Sequence, residues 1–500
     1  MGMKIDNLRR WAAVCWLVVV AGVAFPQSQQ GGMAAFREGQ LRKIEQFRDT
    51  KQREIAAFRD SLNEVYASYL EQRWESFKLF RHERSFRPMP EPPVYDPSEP
   101  VRDEDNELPV VAEVPVTLPV PVDTVDLPVV APVVPAPTTV RAEFFGTQVL
   151  LQRAGNYSIS HLANASEDEV ARFWRQLAGM PVDTVVNDLL RIARELRLNG
   201  WGKFVLAREV AGKYIPDASE NERVVFAVFM LNQLGYGAKV GRSGQTLYAM
   251  LASNATMYTP YFTFHGGSHD GNMKYYVIVP SHEELTDIET CKVEFGGGDV
   301  PVDFAVAEQP RLADDMAEQP LQFGGDSYNV AYNRNLVRYY ATYPCVDFDI
   351  YGTAPVDGEL LNSLGRQLSP HIDGKSGREA VNYLLHLVQN AFRYKTDQDN
   401  YGYEKWNFAE ETLVSAYSDC DDRAIFFAQL VRNLLGMKVV LVYYPGIHLA
   451  TAVHFDEEIF GNYVTVDGEK FLICDPTYVN AHVGMAMPDV GTKVEIIKLF

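Results

Sequence analysis

The sequence predicts an α+β protein in which one unit, a helix followed by strands, occurs twice. Three observations carry that expectation. The stretch "SENERVVFAVFMLNQLGYGAKVGRSGQTLYAMLAS", followed by "KYYVIVP", has the same order of elements as "SDCDDRAIFFAQLVRNLLGMKVVLVYYPGIHLATAVHF", followed by "KFLICDP". An offset near 200 lays Arg223 on Arg423, Phe226 on Phe426 and Leu234 on Leu434. In each copy an apolar run with helical spacing gives way to short apolar strands, the pattern of a helix packed on an antiparallel sheet.

The chain begins "MGMKIDNLRRWAAVCWLVVVAGVAFPQSQQGG": Lys4, Arg9 and Arg10 precede an apolar run from Trp11 to Phe25. That run is short for a membrane span and suits a secretory signal peptide over residues 1–27, cut after Ala24 or within "FPQSQQ". A retained anchor is the alternative. The expected location is outside the cytoplasm, periplasmic or associated with the cell envelope. Cys15 lies inside the apolar run, the wrong place for a lipid-modified cysteine.

Residues 33–87 read as one long amphipathic helix. Ile55, Phe58, Leu62, Val65 and Tyr69 alternate spacings of three and four, and Leu41, Ile44 and Phe47 extend the stripe. Two readings stay open, a helix packed on its own protein and a coiled coil for self-association or partner binding. Residues 88–140 form a Pro/Val-rich linker. Fourteen of the chain's 28 prolines fall in it, which blocks helix and sheet pairing and predicts an extended, semi-stiff spacer. The first repeated unit then occupies 141–285, a connecting β-rich region 286–370 and the second unit 371–500.

Bulk chemistry narrows the partners. Five hundred residues with 47% hydrophobic composition can bury more than one core, and a net charge of −20 argues against a nucleic-acid or anionic-membrane surface. A peptide or protein is the better partner. Beyond the signal segment, the cysteines are Cys291, Cys345, Cys420 and Cys474, too few for a disulfide scaffold, although one bridge is compatible with export. No CxxC pair or Cys/His spacing suggests zinc. "DQDNYG" resembles half a calcium loop but has Phe408 where the twelfth-position carboxylate belongs, so neither metal nor cofactor is expected.

In the second unit Cys420 opens a helix among Asp419, Asp421 and Asp422, His448 opens a strand-like run, and Asp475 ends another. The motifs "YSDCDDRAIFFAQLVRNLLG", "YPGIHLATAVHF" and "FLICDPTYVNAHVGMAMP" resemble the transglutaminase-like (papain-like cysteine) superfamily, in the form found in transglutaminase-domain proteins of Bacteroidetes. The resemblance covers roughly residues 375–490 strongly and the first unit weakly. It implies Cys420 as nucleophile, His448 as general base and acid, and Asp475 as the group that orients the imidazole. It also implies a side-chain oxyanion donor upstream, for which Asn400 and Trp406 are the candidates.

The physical reading agrees with these roles. Ser418 or Asp419 can cap the helix and leave Cys420 in a first turn that favours thiolate, with Asp421 and Asp422 directed away from sulfur and Arg423 available to pair with one of them. His454 lies on the same strand face as His448, so alternation alone does not separate them. Cys474 reads as core. The first unit carries Ser219 or Glu220 at the cysteine position, Leu247 or Tyr248 at the histidine and Val279 at the aspartate, which makes it a degenerate copy.

The expected function is an exported cysteine hydrolase or acyltransferase acting on peptide or protein amides through an acyl-thioester, with peptidase-type hydrolysis preferred. The alternative is a non-catalytic envelope scaffold that displays two transglutaminase-like repeats.

Overall fold

The structure, a computed structural model, describes residues 30–80, 88–98, 104–119, 138–153, 158–263, 273–279, 285–488, 490–491 and 493–500. The expected signal segment lies outside these residues. Among the described residues no helix is long and apolar enough to cross a membrane.

In chain order the first elements are α1 (Gln30–Leu70), β1 (Glu75–Lys78), β2 (Asn106–Glu107), β3 (Val110–Val114), β4 (Thr138–Phe144) and β5 (Thr147–Arg153). Four helices follow, α2 (Glu167–Ala178), α3 (Val182–Leu196), α4 (Gly200–Tyr214) and α5 (Glu220–Gln233). Next come β6 (Ala238–Ser243), β7 (Thr246–Ser253), β8 (Tyr261–Thr263), β9 (Lys274–Ile278), β10 (Asp287–Thr290), β11 (Met316–Phe323) and β12 (Asp326–Asn333). A second helical run comprises α6 (Arg334–Tyr340), α7 (Phe348–Thr353), α8 (Gly358–Ile372), α9 (Gly377–Ala391), α10 (Asp397–Asn400), α11 (Ala409–Val414) and α12 (Cys420–Leu430). The chain closes with β13 (Val439–Tyr444), β14 (His448–His454), β15 (Asn462–Val466), β16 (Glu469–Cys474) and β17 (Val494–Lys498).

The fold is mixed α and β, with antiparallel and mixed sheets packed against helices. One sheet has the strand order β1-β10-β6-β7-β9-β8, antiparallel throughout. The other has the order β2-β15-β16-β14-β13-β17-β3, antiparallel in its centre and parallel where β2 and β3 join its margins. Within them the order β8-β9-β7-β6-β10 recurs as β15-β16-β14-β13-β17. A helix packs on the two hairpin strands of each sheet, α5 on β6 and β7, and α12 on β13 and β14. Every residue of α12 is buried. β13 is likewise buried on both faces, which explains why "VVLVYY" reads as an unbroken apolar run rather than an alternating one.

Four expectations need correction. The chain divides into residues up to Asp60 and the body from Ser61 onward, and α1 ends at Leu70 rather than near residue 87. Trp74 Nε1–H donates to Leu70 O at 3.0 Å, and the chain then enters β1. Only part of the anticipated apolar stripe packs: Leu62 lies half-buried against the core, Phe58, Val65 and Tyr69 are exposed, and the buried face is Asn63, Tyr66, Ala67 and Leu70. A pattern search that counts only apolar residues passes over this face because it contains Asn63. That amide is satisfied by Trp174 Nε1–H at 3.1 Å and by Gln233.

Residues 88–98 and 104–119 do not stand off as a spacer. They wrap the second sheet, where β2 lies beside β15 and β3 beside β17, and Leu108 is buried in the sheet's outer core. Proline tolerates this because β2 and β3 are margin strands, with Pro109 and Pro115 just outside β3. Finally, 286–370 is not chiefly β. Besides β10 and the β11–β12 hairpin it holds α6, α7 and most of its remaining order in α8.

Candidate active site

Cys420 is the first residue of α12, His448 the first of β14, and Asp475 directly follows β16. The β14–β16 register pairs Thr451 with Cys474, which brings the ends of these two strands to the same place beside the head of the helix. His448 Nε2 lies 2.8 Å from Asp475 Oδ2. Asp475 Oδ1 accepts the Thr477 and Tyr478 N–H groups at 2.9 and 3.2 Å, so this carboxylate is held by a tight turn as well as by the imidazole. The Leu449 N–H is directed at the Cys420 sulfur, which places the thiol against the residue that follows His448.

His454 is excluded as the partner of Asp475. Its Nδ1 lies 3.0 Å from Lys470 O at the far end of the strand. Cys474 is a buried free thiol on the helix-facing side, and Cys291, Cys345 and Cys420 are free as well. Of the oxyanion candidates, Trp406 gives its Nε1–H to Glu404 at 3.1 Å and stacks on Phe348, so that donor is occupied. Asn400 closes the short helix α10 and makes no side-chain hydrogen bond among the described residues.

The acidic neighbours differ most from expectation. Asp421 does not point away from sulfur, and both Asp421 and Asp422 are buried. Carboxylate oxygens of Asp419 and Asp421 and the Cys420 sulfur all lie within 4.8 Å of one another, and Asp397, Asp419 and Asp422 form a second such group. Glu404 joins Asp397 and Asp421 in a third. Nor does Arg423 pair with these aspartates as anticipated. It turns back to Ser418 Oγ (3.1 Å), Gln389 O (3.3 Å) and Phe392 O (2.7 Å), tying α12 to the end of α9. Asp419 occupies the cap position without making a cap bond, and its Oδ2 instead accepts the Asp397 N–H at 3.2 Å.

Burial, reinforced by the carboxylates' mutual charge, drives these groups above the usual carboxylate range: Asp397, Glu404, Asp421 and Asp422. Asp419 is raised by burial too, against the pull of Asp421 and Arg423. Asp419 Oδ1 and Asp421 Oδ2 receive no N–H or hydroxyl donor, and a proton shared between the two carboxyls would satisfy both. Burial first, and the charge of Asp419 second, push the Cys420 thiol well above its ordinary range. The thiolate preference expected from the helix end is therefore overridden.

Asp397, Glu404, Asp419, Asp421 and Asp422 form an all-oxygen donor set, the chemistry used by hard cations. Asp397 comes from the "DQDNYG" stretch, which folds as the single turn α10 instead of a calcium loop. The sequence reading missed Glu404 and Tyr394, because both reach the site from the irregular connection between α9 and α12. Tyr394 forms a parallel bridge with Ser418, and its ring lies under the Arg423 guanidinium at 5.3 Å. The triad itself is closed: Cys420 and His448 are 1% exposed and Asp475 0%.

The corresponding places in the first sheet can be read from register. Ser219 caps α5 and Glu220 opens it. The last residue of β9, Ile278, pairs with Ala249, just as Cys474 pairs with Thr451. Counting back three residues from each partner gives Thr246 opposite His448, rather than Leu247 or Tyr248. Val279 follows β9 where Asp475 follows β16.

Comparisons with family models, with characterised proteins and with solved structures returned no match. The functional reading accordingly rests on the residues of the site.

Proposed function

We propose that Cys420, His448 and Asp475 are the nucleophile, the general base and acid, and the orienting carboxylate of a transglutaminase-like site that hydrolyses peptide or protein amides. The observation that carries this reading is the buried His448–Asp475 pair, 2.8 Å apart, with the N–H of the next residue, Leu449, directed at the sulfur of the cysteine that heads α12. With Nε2 engaged by Asp475, Nδ1 is the ring nitrogen left to take the thiol proton. The sulfur then attacks the amide carbonyl, His448 returns the proton to the departing amine, and water resolves the thioester with His448 again as base.

In this reading the chain is an exported protein with a duplicated transglutaminase-like domain. The first copy has Glu220, Thr246 and Val279 in place of the triad and serves docking or covering rather than chemistry. Hydrolysis is preferred to amine transfer because no second, amine-binding site is marked. Iodoacetamide labelling followed by mass spectrometry tests the assignment. At pH 7 the rate at Cys420 should fall about 100-fold in His448→Ala, while Cys291, Cys345 and Cys474 label slowly in both proteins. Equal Cys420 rates in the two proteins would refute it.

One observation favours the second reading, a non-catalytic scaffold: the thiol is 1% exposed and crowded by carboxylates. Under that reading Cys420 labels without any dependence on His448.

A further inference from the structure

The triad is closed, and the segment "MPEPPVY", residues 89–95, touches residues close in sequence to Cys420 and to Asp475. At one end, Tyr394 Oη–H donates to Met89 O at 2.7 Å. Tyr394 is bridged to Ser418, two residues before Cys420, and the charges of Cys420 and Asp419 act on its hydroxyl. At the other end, Val479 N–H donates to Pro93 O at 3.0 Å and Tyr95 N–H donates to Val479 O at 2.8 Å, a parallel bridge centred on Val94. The Tyr95 ring meets Tyr478 edge-on at 6.1 Å. Tyr478 belongs to the turn whose N–H groups hold Asp475. Met89 and Tyr95 also pack on the outer core of the sheet, while Val94 is exposed.

These contacts have the form of peptide recognition. Backbone hydrogen bonds on both sides of Val479 fix an extended chain, and two side chains anchor it. Three of the seven occupant residues, Pro90, Pro92 and Pro93, have no N–H, and the contacts ask for only one, from Tyr95. A proline-rich chain loses nothing in making them and gives up little conformational freedom on ordering.

We infer that Tyr394, Tyr478 and Val479 form a peptide-binding ledge beside Cys420, that residues 89–95 occupy it as an internal pseudo-substrate, and that the external ligand is an extended, proline-containing peptide. This rests on the proposed function, since it identifies the substrate class of the same site.

The test uses the full chain carrying Met89→Asp and Tyr95→Asp, with iodoacetamide labelling of Cys420 as readout. Emptying the ledge should raise the rate about tenfold by increasing the open fraction. A synthetic peptide spanning residues 88–96 should then slow labelling again, whereas the same peptide with aspartate for the tyrosine should not. An unchanged rate in the folded double variant overturns the inference, as does acceleration that the peptide fails to reverse. Tyr394→Phe, which removes only the donor to Met89, provides the second reading should the double variant not fold: faster labelling supports the ledge and an unchanged rate overturns it. Adding His448→Ala to either variant separates the two conclusions. Acceleration that the peptide reverses but that does not depend on His448 keeps the ledge and refutes the triad. A His448-dependent rate that the substitutions at Met89 and Tyr95 leave unchanged does the reverse.

Discussion

The two sheets place the same strand order under a helix, yet the heads of those helices are built on opposite principles. At α5 the Ser219–Glu222 capping box is complete: Ser219 Oγ accepts the Glu222 N–H and Glu222 returns a bond to the Ser219 N–H. At α12 the cap residue Asp419 makes no cap bond, and five acids crowd the first turn. The arginine that follows is used alike in both. Arg223 reaches Ala218 O and Arg208 O, and Arg423 reaches Ser418 Oγ, Gln389 O and Phe392 O, each tying its helix to an earlier one, α5 to α4 and α12 to α9. Packing and anchoring are thus shared, while local satisfaction is given up only where Cys420 sits. Departures of that kind concentrate at functional sites.

The largest test of this contrast compares Asp475 with Val279. Asp475→Ala leaves buried His448 and the N–H groups of Thr477 and Tyr478 without their acceptor and should cost about 3 kcal/mol. Val279→Ala, at a half-buried position with no such partners, should cost about 1 kcal/mol or less. Chemical denaturation measures both, and equal costs would erase the distinction between the two places.

The pH dependence should come next in size, and it has opposite signs at the two helix heads. Around α12 the folded state holds Asp397, Glu404, Asp419, Asp421 and Asp422 above their ordinary values, and Glu410 of α11 is pushed up to about 7 by burial. Between the unfolded carboxyl values near about 4 and these raised ones, the folded state binds more protons, so stability falls as pH rises. Glu410's share is lost as pH climbs to about 7. At α5, Glu222 is held below the usual range: burial opposes this but is outweighed by the N–H groups of Ser219 and Leu162, so its share is lost on acidification instead. The thermal midpoint should decline from pH 5 to pH 9, and Asp419→Asn with Asp421→Asn should flatten that decline. An unchanged slope would mean that the cluster is charged when folded.

The smallest effect concerns the caps. Ser219→Ala should cost about 1 kcal/mol. Asp419→Ala removes no cap bond and relieves crowding but takes the acceptor from the Asp397 N–H, so its net cost, read from the denaturation midpoint, should fall below that of Ser219→Ala.

What could be read in advance follows the range of the forces involved. Helix α12, strands β13, β14 and β16, and the approach of His448 to Asp475 follow from local periodicity together with motif resemblance. The surroundings of the thiol do not. Asp397 arrives from the one-turn helix α10 and Glu404 from the loop after it, and the carboxyls of Asp421 and Asp422 are buried because the whole first turn of α12 is covered, a tertiary fact with no local signature. The end of α1 escaped for a related reason. Its packing face runs through Asn63, a residue that is buried only because Trp174 and Gln233, more than a hundred positions away, satisfy it. The proline-rich stretch was read from composition as open chain, and composition carries no information about a margin strand waiting elsewhere.

The margin strands also order events in time. Asn106 bonds to Asn462 across 356 positions, and β3 needs β17 at the end of the chain. On the ribosome, β2 and β3 emerge long before either partner exists, so the second sheet must form its centre first and recruit its borders last. During that wait the prolines around Val110–Val114 discourage pairing with the wrong strand. The same residues that look like a passive tether in the sequence therefore act as a late clasp in biosynthesis.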